Sequence, residues 1–226
     1  MTKDLARFSP RALPGAETMS GRSVDIVPIV DESRFGELCE TFAGIDEAQW
    51  RYLGYGPFGD ADELLAALRK TAFSSGLLLH AIVPKDSGKA SGWIAFMRAD
   101  PANGVIEIGH VSLGPALKRS RAATEGFFLM MRRAFDELGY RRLEWKCDSG
   151  NQPSRQAAAR LGFTYEGTFR QHMVVKGRNR DTAWFSIIDG EWPALKAAFE
   201  AWLADDNFDG SGQQKRRLSG LMTMSA

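Results

Sequence analysis

The sequence predicts an α/β (α+β) fold: one mixed, mostly antiparallel sheet of about seven strands with helices flanking it. Three observations predict this class. Apolar residues switch repeatedly between strand-like and helix-like spacing along the chain. Three extended runs follow one another across short turns rich in Gly, Pro and Asn-Gly, the pattern of an antiparallel meander. Beyond them the order becomes helix, strand, helix, strand, as in a βαβαβ unit.

The elements follow in order. Residues 1–22 mix Pro10, Pro14, Gly15 and Gly21 with scattered charges and read as a flexible tail. Residues 24–30 (VDIVPIV) form a strand, and 32–42 carry Phe35, Leu38 and Phe42 at helical spacing. The stretch 50–58 (WRYLGYGPF) is an aromatic loop, because its glycines and Pro57 oppose regular structure. Asp60 or Asp62 caps a helix that sets Leu64, Leu65 and Leu68 on one face. Strands follow at 77–83, 92–98 and 105–113, separated by KDSGK and DPANG. A helix over 122–138 turns Phe127, Met131, Ala134, Phe135 and Leu138 inward and stops at Gly139. Residues 142–147 (RLEWKC) alternate as a strand, 153–161 is an alanine-rich helix stopped by Gly162, and 163–170 is extended. Residues 176–180 (KGRNR) form a hairpin tip before a last strand at 183–188, and 192–203 closes the domain as a helix. Residues 205–226, rich in Asp, Gly, Ser and Gln and containing the cluster Lys215, Arg216 and Arg217, read as a second flexible tail, leaving 23–204 as one domain.

Composition removes several function classes. The chain has 226 residues with 29 Lys and Arg against 28 Asp and Glu, so no global field draws it to nucleic acid or anionic lipid. Cys39 and Cys147 are too few for a disulfide scaffold, and with His80, His110 and His172 they show no metal-ligand spacing, so no metal is expected. No apolar run approaches the roughly 20 residues that span a bilayer, and a cytoplasmic protein with reduced thiols is the expectation.

Two helix starts carry the chemistry. Lys118, Arg119 and Arg121 sit at or before the first turn of a strong helix, where the macrodipole penalises each cation by about 0.3–1 kcal/mol. An anion reverses that penalty, and the small residues Ala122 and Ala123 let a phosphate approach the free N–H groups. The rival reading leaves these cations in water, offset by Glu125. The second start is 151–163 (NQPSRQAAARLGF): Asn151 caps, Pro153 fits the first turn, and Ser154 and Arg155 lie at the positive end. Both starts then face one crevice at the carboxyl ends of neighbouring strands.

With IEIGH at 106–110, ATEG at 123–126, Asn151 with Ser154, and RLGFTYE at 160–166, the chain resembles the GNAT superfamily of acetyl-CoA-dependent N-acetyltransferases. It is most similar to the branch that acetylates the N-terminal serine or alanine of ribosomal proteins. The resemblance covers about 23–190 and implies a central strand pair that splays apart, 105–113 from 142–147. It implies coenzyme A pyrophosphate on Lys118, Arg119, Ser120, Arg121, Ala122 and Ala123, and pantetheine near Asn151 and Ser154. Leu113 would supply the oxyanion N–H. Arg121 departs from the family pattern, standing where a glycine usually allows close backbone approach, so side chains would take over the grip. A helix tyrosine that protonates the leaving thiolate in many relatives is Ala158 here, which makes Ser154 the candidate.

Amine attack on a thioester also needs a base. Glu107 is the first choice and His110 the second. Strand alternation sets the two on opposite faces, so both reach one substrate only if a bulge intervenes. Trp50, Tyr55 and Phe58 either line an acceptor pocket or anchor their loop in the core. The expected function is acetyl transfer to a primary amine, a small molecule or a protein N-terminus. The alternative is a non-catalytic acyl-CoA-binding module. A homodimer is compatible with this reading; nucleic acid is not an expected partner.

Overall fold

The computed structural model describes residues 5–222. Its strands form one eight-stranded sheet in the order β1-β2-β3-β4-β5-β6-β8-β7. These are β1 (Met19–Ser20), β2 (Val24–Pro28), β3 (Leu77–Pro84), β4 (Gly92–Asp100), β5 (Val105–Leu113), β6 (Arg142–Asp148), β7 (Thr164–Val175) and β8 (Arg178–Ile188). Every neighbouring pair is antiparallel except β5 and β6. The meander β3–β4–β5 is as its short turns predict. The count exceeds the expected seven because the two-residue β1 has no periodicity to betray it.

The helices are α1 (Phe35–Phe42), α2 (Ala61–Ala72), α3 (Arg121–Arg132), α4 (Gln152–Arg160), α5 (Trp192–Leu203) and α6 (Leu218–Met222). Asp60 caps α2 through the Glu63 N–H, Ser120 caps α3 through the Ala123 N–H, and Asn151 caps α4 through the Ser154 N–H. Alternation along the strands divides the core. Ile94, Phe96, Ile106, Ile108, Leu143 and Trp145 point to α3, α4 and α5, whereas Leu79, Ala81, Trp93 and Ala95 pack under α1 and α2 with Trp50. No helix among the described residues is long and apolar enough to cross a membrane.

Two expectations of local sequence are revised. The hairpin β7–β8 runs well beyond the predicted strands, because Met173, Val174 and Val175 pair with Arg180, Asn179 and Arg178 across a two-residue tip. Lys176 and Gly177 both take positive φ, 49° and 72°, as such a tip requires. The described parts of the segments read as flexible tails, 5–22 and 205–222, lie against the domain; residues 1–4 and 223–226 fall outside the described residues. Arg11 N–H bonds the Pro101 carbonyl, Tyr140 donates to the Ala12 carbonyl, and Met19 is buried. At the other end Asn207, Leu218 and Leu221 are buried. A few apolar side chains suffice to hold these polar segments, and composition averages conceal them.

Candidate active site

The central strand pair opens after a short run. β5 and β6 pair only at Val105 with Arg142, Ile106 with Leu143 and Glu107 with Glu144, so their carboxyl-terminal halves are free of each other. Each half leads into a helix start, β5 into α3 and β6 into α4. Among the described residues the amides of Arg119, Arg121 and Ala122 have no partner, as expected of a helix start that faces outward. An extended anionic ligand with a phosphate at α3 and a polar chain in the gap fits these features. The last turn of α4 reaches α3 through Arg160 Nη1, which donates to Thr124 Oγ1 at 3.2 Å.

The phosphate loop differs in detail from its sequence reading. Arg119 carries the left-handed backbone, φ 61°, while Arg121 begins the helix proper. The missing glycine therefore imposes no left-handed strain at Arg121 itself. Lys118 Nζ bonds Gln49 Oε1 at 2.7 Å, and Gln49 Nε2 in turn donates to the Leu113 carbonyl at 3.4 Å. Gln49 thus bridges the end of β5 and the loop, a role invisible to the sequence because nothing local marks it. Arg121 does not reach over the loop: its guanidinium pairs with Asp205 Oδ1 at 2.6 Å, donates to the Leu203 carbonyl and lies 4.4 Å from the Phe208 ring centre. Glu125 offsets none of the cations, because its carboxylate accepts the N–H groups of Arg22 and Ser23, each at 2.7 Å.

At α4, Asn151 spends its carbonyl oxygen on the Ser154 N–H at 3.2 Å. Ser154 Oγ accepts from Trp145 Nε1 at 3.0 Å. Arg155 lies over Tyr165 at 5.2 Å, with Nη1 near the Ser149 carbonyl. Cys147 is buried and its thiol is pushed up by that burial, the state of a structural side chain.

The two base candidates meet on one face because β5 bulges. Trp93 pairs with Ser112 but Ala95 with Gly109, so one extra residue of β5 is inserted between. His110 takes φ 49° there. Before the bulge even-numbered residues point to α3 (Ile106, Ile108); after it odd-numbered ones do (Val111, Leu113). Glu107 and His110 consequently share the opposite face. Glu107, 3% exposed, is gripped by Arg98 Nη1 at 2.9 Å to both oxygens and by Lys146 Nζ at 2.8 Å. Lys146 also meets Glu144 at 2.8 Å and sits 3.9 Å from the Trp184 ring centre. His110 stacks on Tyr55 with ring centres 5.9 Å apart. Burial, aided by Arg98, lowers its pKa below 6.5, so the ring is neutral at pH 7.

The aromatic loop divides its duties. Trp50 is 3% exposed and packs on Phe42, Phe58 and Trp93, which makes it a core anchor and not a substrate contact. Tyr55 accepts from Trp93 Nε1 at 3.2 Å, and burial raises its pKa. Phe58 stacks on Tyr55. Tyr52 donates to the Gly150 carbonyl at 3.0 Å and Lys176 to the Trp50 carbonyl at 2.9 Å, so the loop is tied to the β6–α4 turn and to the β7–β8 tip.

Comparison with known proteins agrees with this architecture. The family described as acetyltransferase (GNAT) domain matches residues 26–164. A GCN5-related N-acetyltransferase of Brucella melitensis is 49% identical, with a TM-score of 0.93 over 96% of this chain and 98% of that one. A probable acetyltransferase of the GNAT family from Chromobacterium violaceum is 44% identical, with a TM-score of 0.79 over 85% of this chain and 96% of its own. An uncharacterised N-acetyltransferase of Bacillus licheniformis is 27% identical over 158 residues, 69% of this chain and 87% of the relative.

Proposed function

The chain belongs to the GNAT acetyltransferase family and is an acyltransferase, and from that premise we propose that it moves acetyl from acetyl-CoA to a primary amine by direct attack in a ternary complex. The acceptor is a protein N-terminus or a small amine. The observation that carries this reading is the parting of β5 from β6 beside the free amides of α3. Acetyl-CoA, when bound, supplies a thioester carbonyl open to a nucleophile.

This chain's residues then have separable tasks. Arg119 and the amides of Arg121 and Ala122 hold the pyrophosphate. The Asn151 side chain, whose nitrogen has no partner among the described residues, bonds the pantetheine. The Leu113 N–H stabilises the oxygen that becomes negative as the amine adds. His110 takes the ammonium proton, because burial favours its neutral ring and, among the described residues, no hydrogen bond to that ring competes. Glu107 was the first choice from sequence, but both its oxygens are engaged by Arg98 and Lys146. Its task is to hold the two central strands in register. Tyr55 positions the His110 ring by stacking. Ser154 retains its own hydroxyl proton and can protonate the thiolate, a step that a thiol of pKa about 8.5 does not strictly need.

Titration of the purified chain with acetyl-CoA, coenzyme A and ATP is the test, followed by thiol release with peptides beginning in Ser or Ala and with small amines. Micromolar binding of acetyl-CoA but not ATP, with turnover, is expected. Absence of coenzyme A binding would refute the reading, and binding with no turnover of any amine would establish the non-catalytic module.

A further inference from the structure

The segment after α5 takes no part in the chemistry above, yet it is built onto the helix that carries the phosphate loop. Asp205 pairs with Arg121 at 2.6 Å and with Arg22 at 3.4 Å. Phe208 lies under the Arg121 guanidinium and packs edge-on against Trp202, ring centres 5.1 Å apart. Asn207, 1% exposed, donates to the Trp202 carbonyl at 2.9 Å and accepts from the Arg216 N–H at 2.9 Å. Trp202 Nε1 donates to Gln214 Oε1 at 2.7 Å. Arg160 lies over Trp202 at 5.3 Å and bonds Thr124 in the first turn of α3. The segment therefore reaches the start of α3 along two lines, one through Arg121 and one through Trp202 and Arg160.

We infer that Arg121 is a positioning residue: it latches residues 205–222 to the start of α3, and the latch holds the loop amides in line for the cofactor pyrophosphate. This rests on the acetyl-CoA reading above. A cation in the first turn of a helix is unfavourable unless an anion accompanies it. Here the accompanying anion belongs to the chain itself. With one nitrogen shared between Asp205 and a carbonyl and its plane on an aromatic ring, the guanidinium is turned away from the loop mouth. The ligand is then met by backbone amides, which a rigid first turn aligns better than a loose one. By linkage, whatever factor the latched segment adds to cofactor affinity, the cofactor adds to the ordering of the segment.

The rival role for Arg121, a direct phosphate ligand, has one point in its favour: its Nε is buried without a partner among the described residues. The two roles predict opposite signs for Asp205. A latch predicts weaker binding when Asp205 is removed. A phosphate ligand held in reserve predicts tighter binding, because a competing carboxylate next to an anionic ligand is gone.

The experiment titrates Asp205→Ala, Phe208→Ala, Arg121→Ala and the Asp205→Ala/Arg121→Ala pair with acetyl-CoA, and follows amide exchange of residues 205–222 with and without it. Expected are rises of about three- to tenfold in Kd for each single variant, no further rise in the pair, and slowed exchange of the segment on binding. In turnover the acetyl-CoA KM rises with kcat unchanged. Unchanged or tighter binding in Asp205→Ala, or exchange of 205–222 indifferent to acetyl-CoA, overturns the latch. A wild-type chain that binds no acetyl-CoA overturns the cofactor reading and the latch together, an outcome distinct from failure of the latch alone.

Discussion

Replacing His80 by leucine should flatten the acid side of the stability profile. His80 lies in β3, 1% exposed and edge-on to Phe96, with Nδ1 free of any partner among the described residues. Burial, helped by the charge of Arg133, brings its pKa from 6.5 down to about 4. The folded state therefore prefers the neutral ring. Stability from this preference is fully present above pH 6.5, the unfolded value, and is lost as pH falls from there to about 4, below which both states are protonated. The ratio of the two binding polynomials at pH 5 gives a loss of about 2 kcal/mol relative to pH 7.5, rising to about 3 kcal/mol at still lower pH. Carboxylates contribute little in that window. Urea melts of wild type and His80→Leu at pH 7.5 and 5.0 measure it directly. Leucine is apolar and close to histidine in volume, and removes the titration while keeping most of the packing. The wild type should lose about 2 kcal/mol more than the variant between the two pH values. Equal losses would mean that the histidine is hydrated or paired in solution, and the argument from burial fails.

Three further outcomes follow from the site. Glu107→Gln should cost about 1–2 kcal/mol in chemical denaturation, because Lys146 and Arg98 lose a carboxylate partner while Lys146 keeps Glu144, yet leave the acid limb of the rate profile in place; wild-type stability with a lost limb would instead make Glu107 the base. In the wild type kcat/KM should climb as pH rises through a midpoint below 6.5, and His110→Gln should abolish that limb, as steady-state rates from pH 5 to 8 will tell. Asn151→Ala should lower stability by about 1 kcal/mol through the lost α4 cap, and together with Arg119→Ala it should raise the acetyl-CoA dissociation constant; unchanged affinity in calorimetry removes both residues from the site.

What the sequence determined by itself is what depends on neighbours along the chain. The meander follows from KDSGK and DPANG, two helix starts from Asn151 and the Asp60/Asp62 pair, and the helix over 122–138 from apolar spacing, because turns and caps are satisfied within a few residues. The acyltransferase family was legible in IEIGH, ATEG and RLGFTYE for the same reason, since each motif is a contiguous piece of one strand, one helix or one helix–strand junction. Tertiary structure decided the rest. Alternation alone set Glu107 and His110 on opposite faces, and one inserted residue in β5, stacked against a loop from elsewhere in the chain, turned them to the same one. Arg98 and Lys146 around Glu107, Gln49 beneath Lys118, and Asp205 beside Arg121 come from remote segments. Only the folded sheet puts these charges within reach of one another, and electrostatic and packing energies depend on that distance in space, not on separation along the chain.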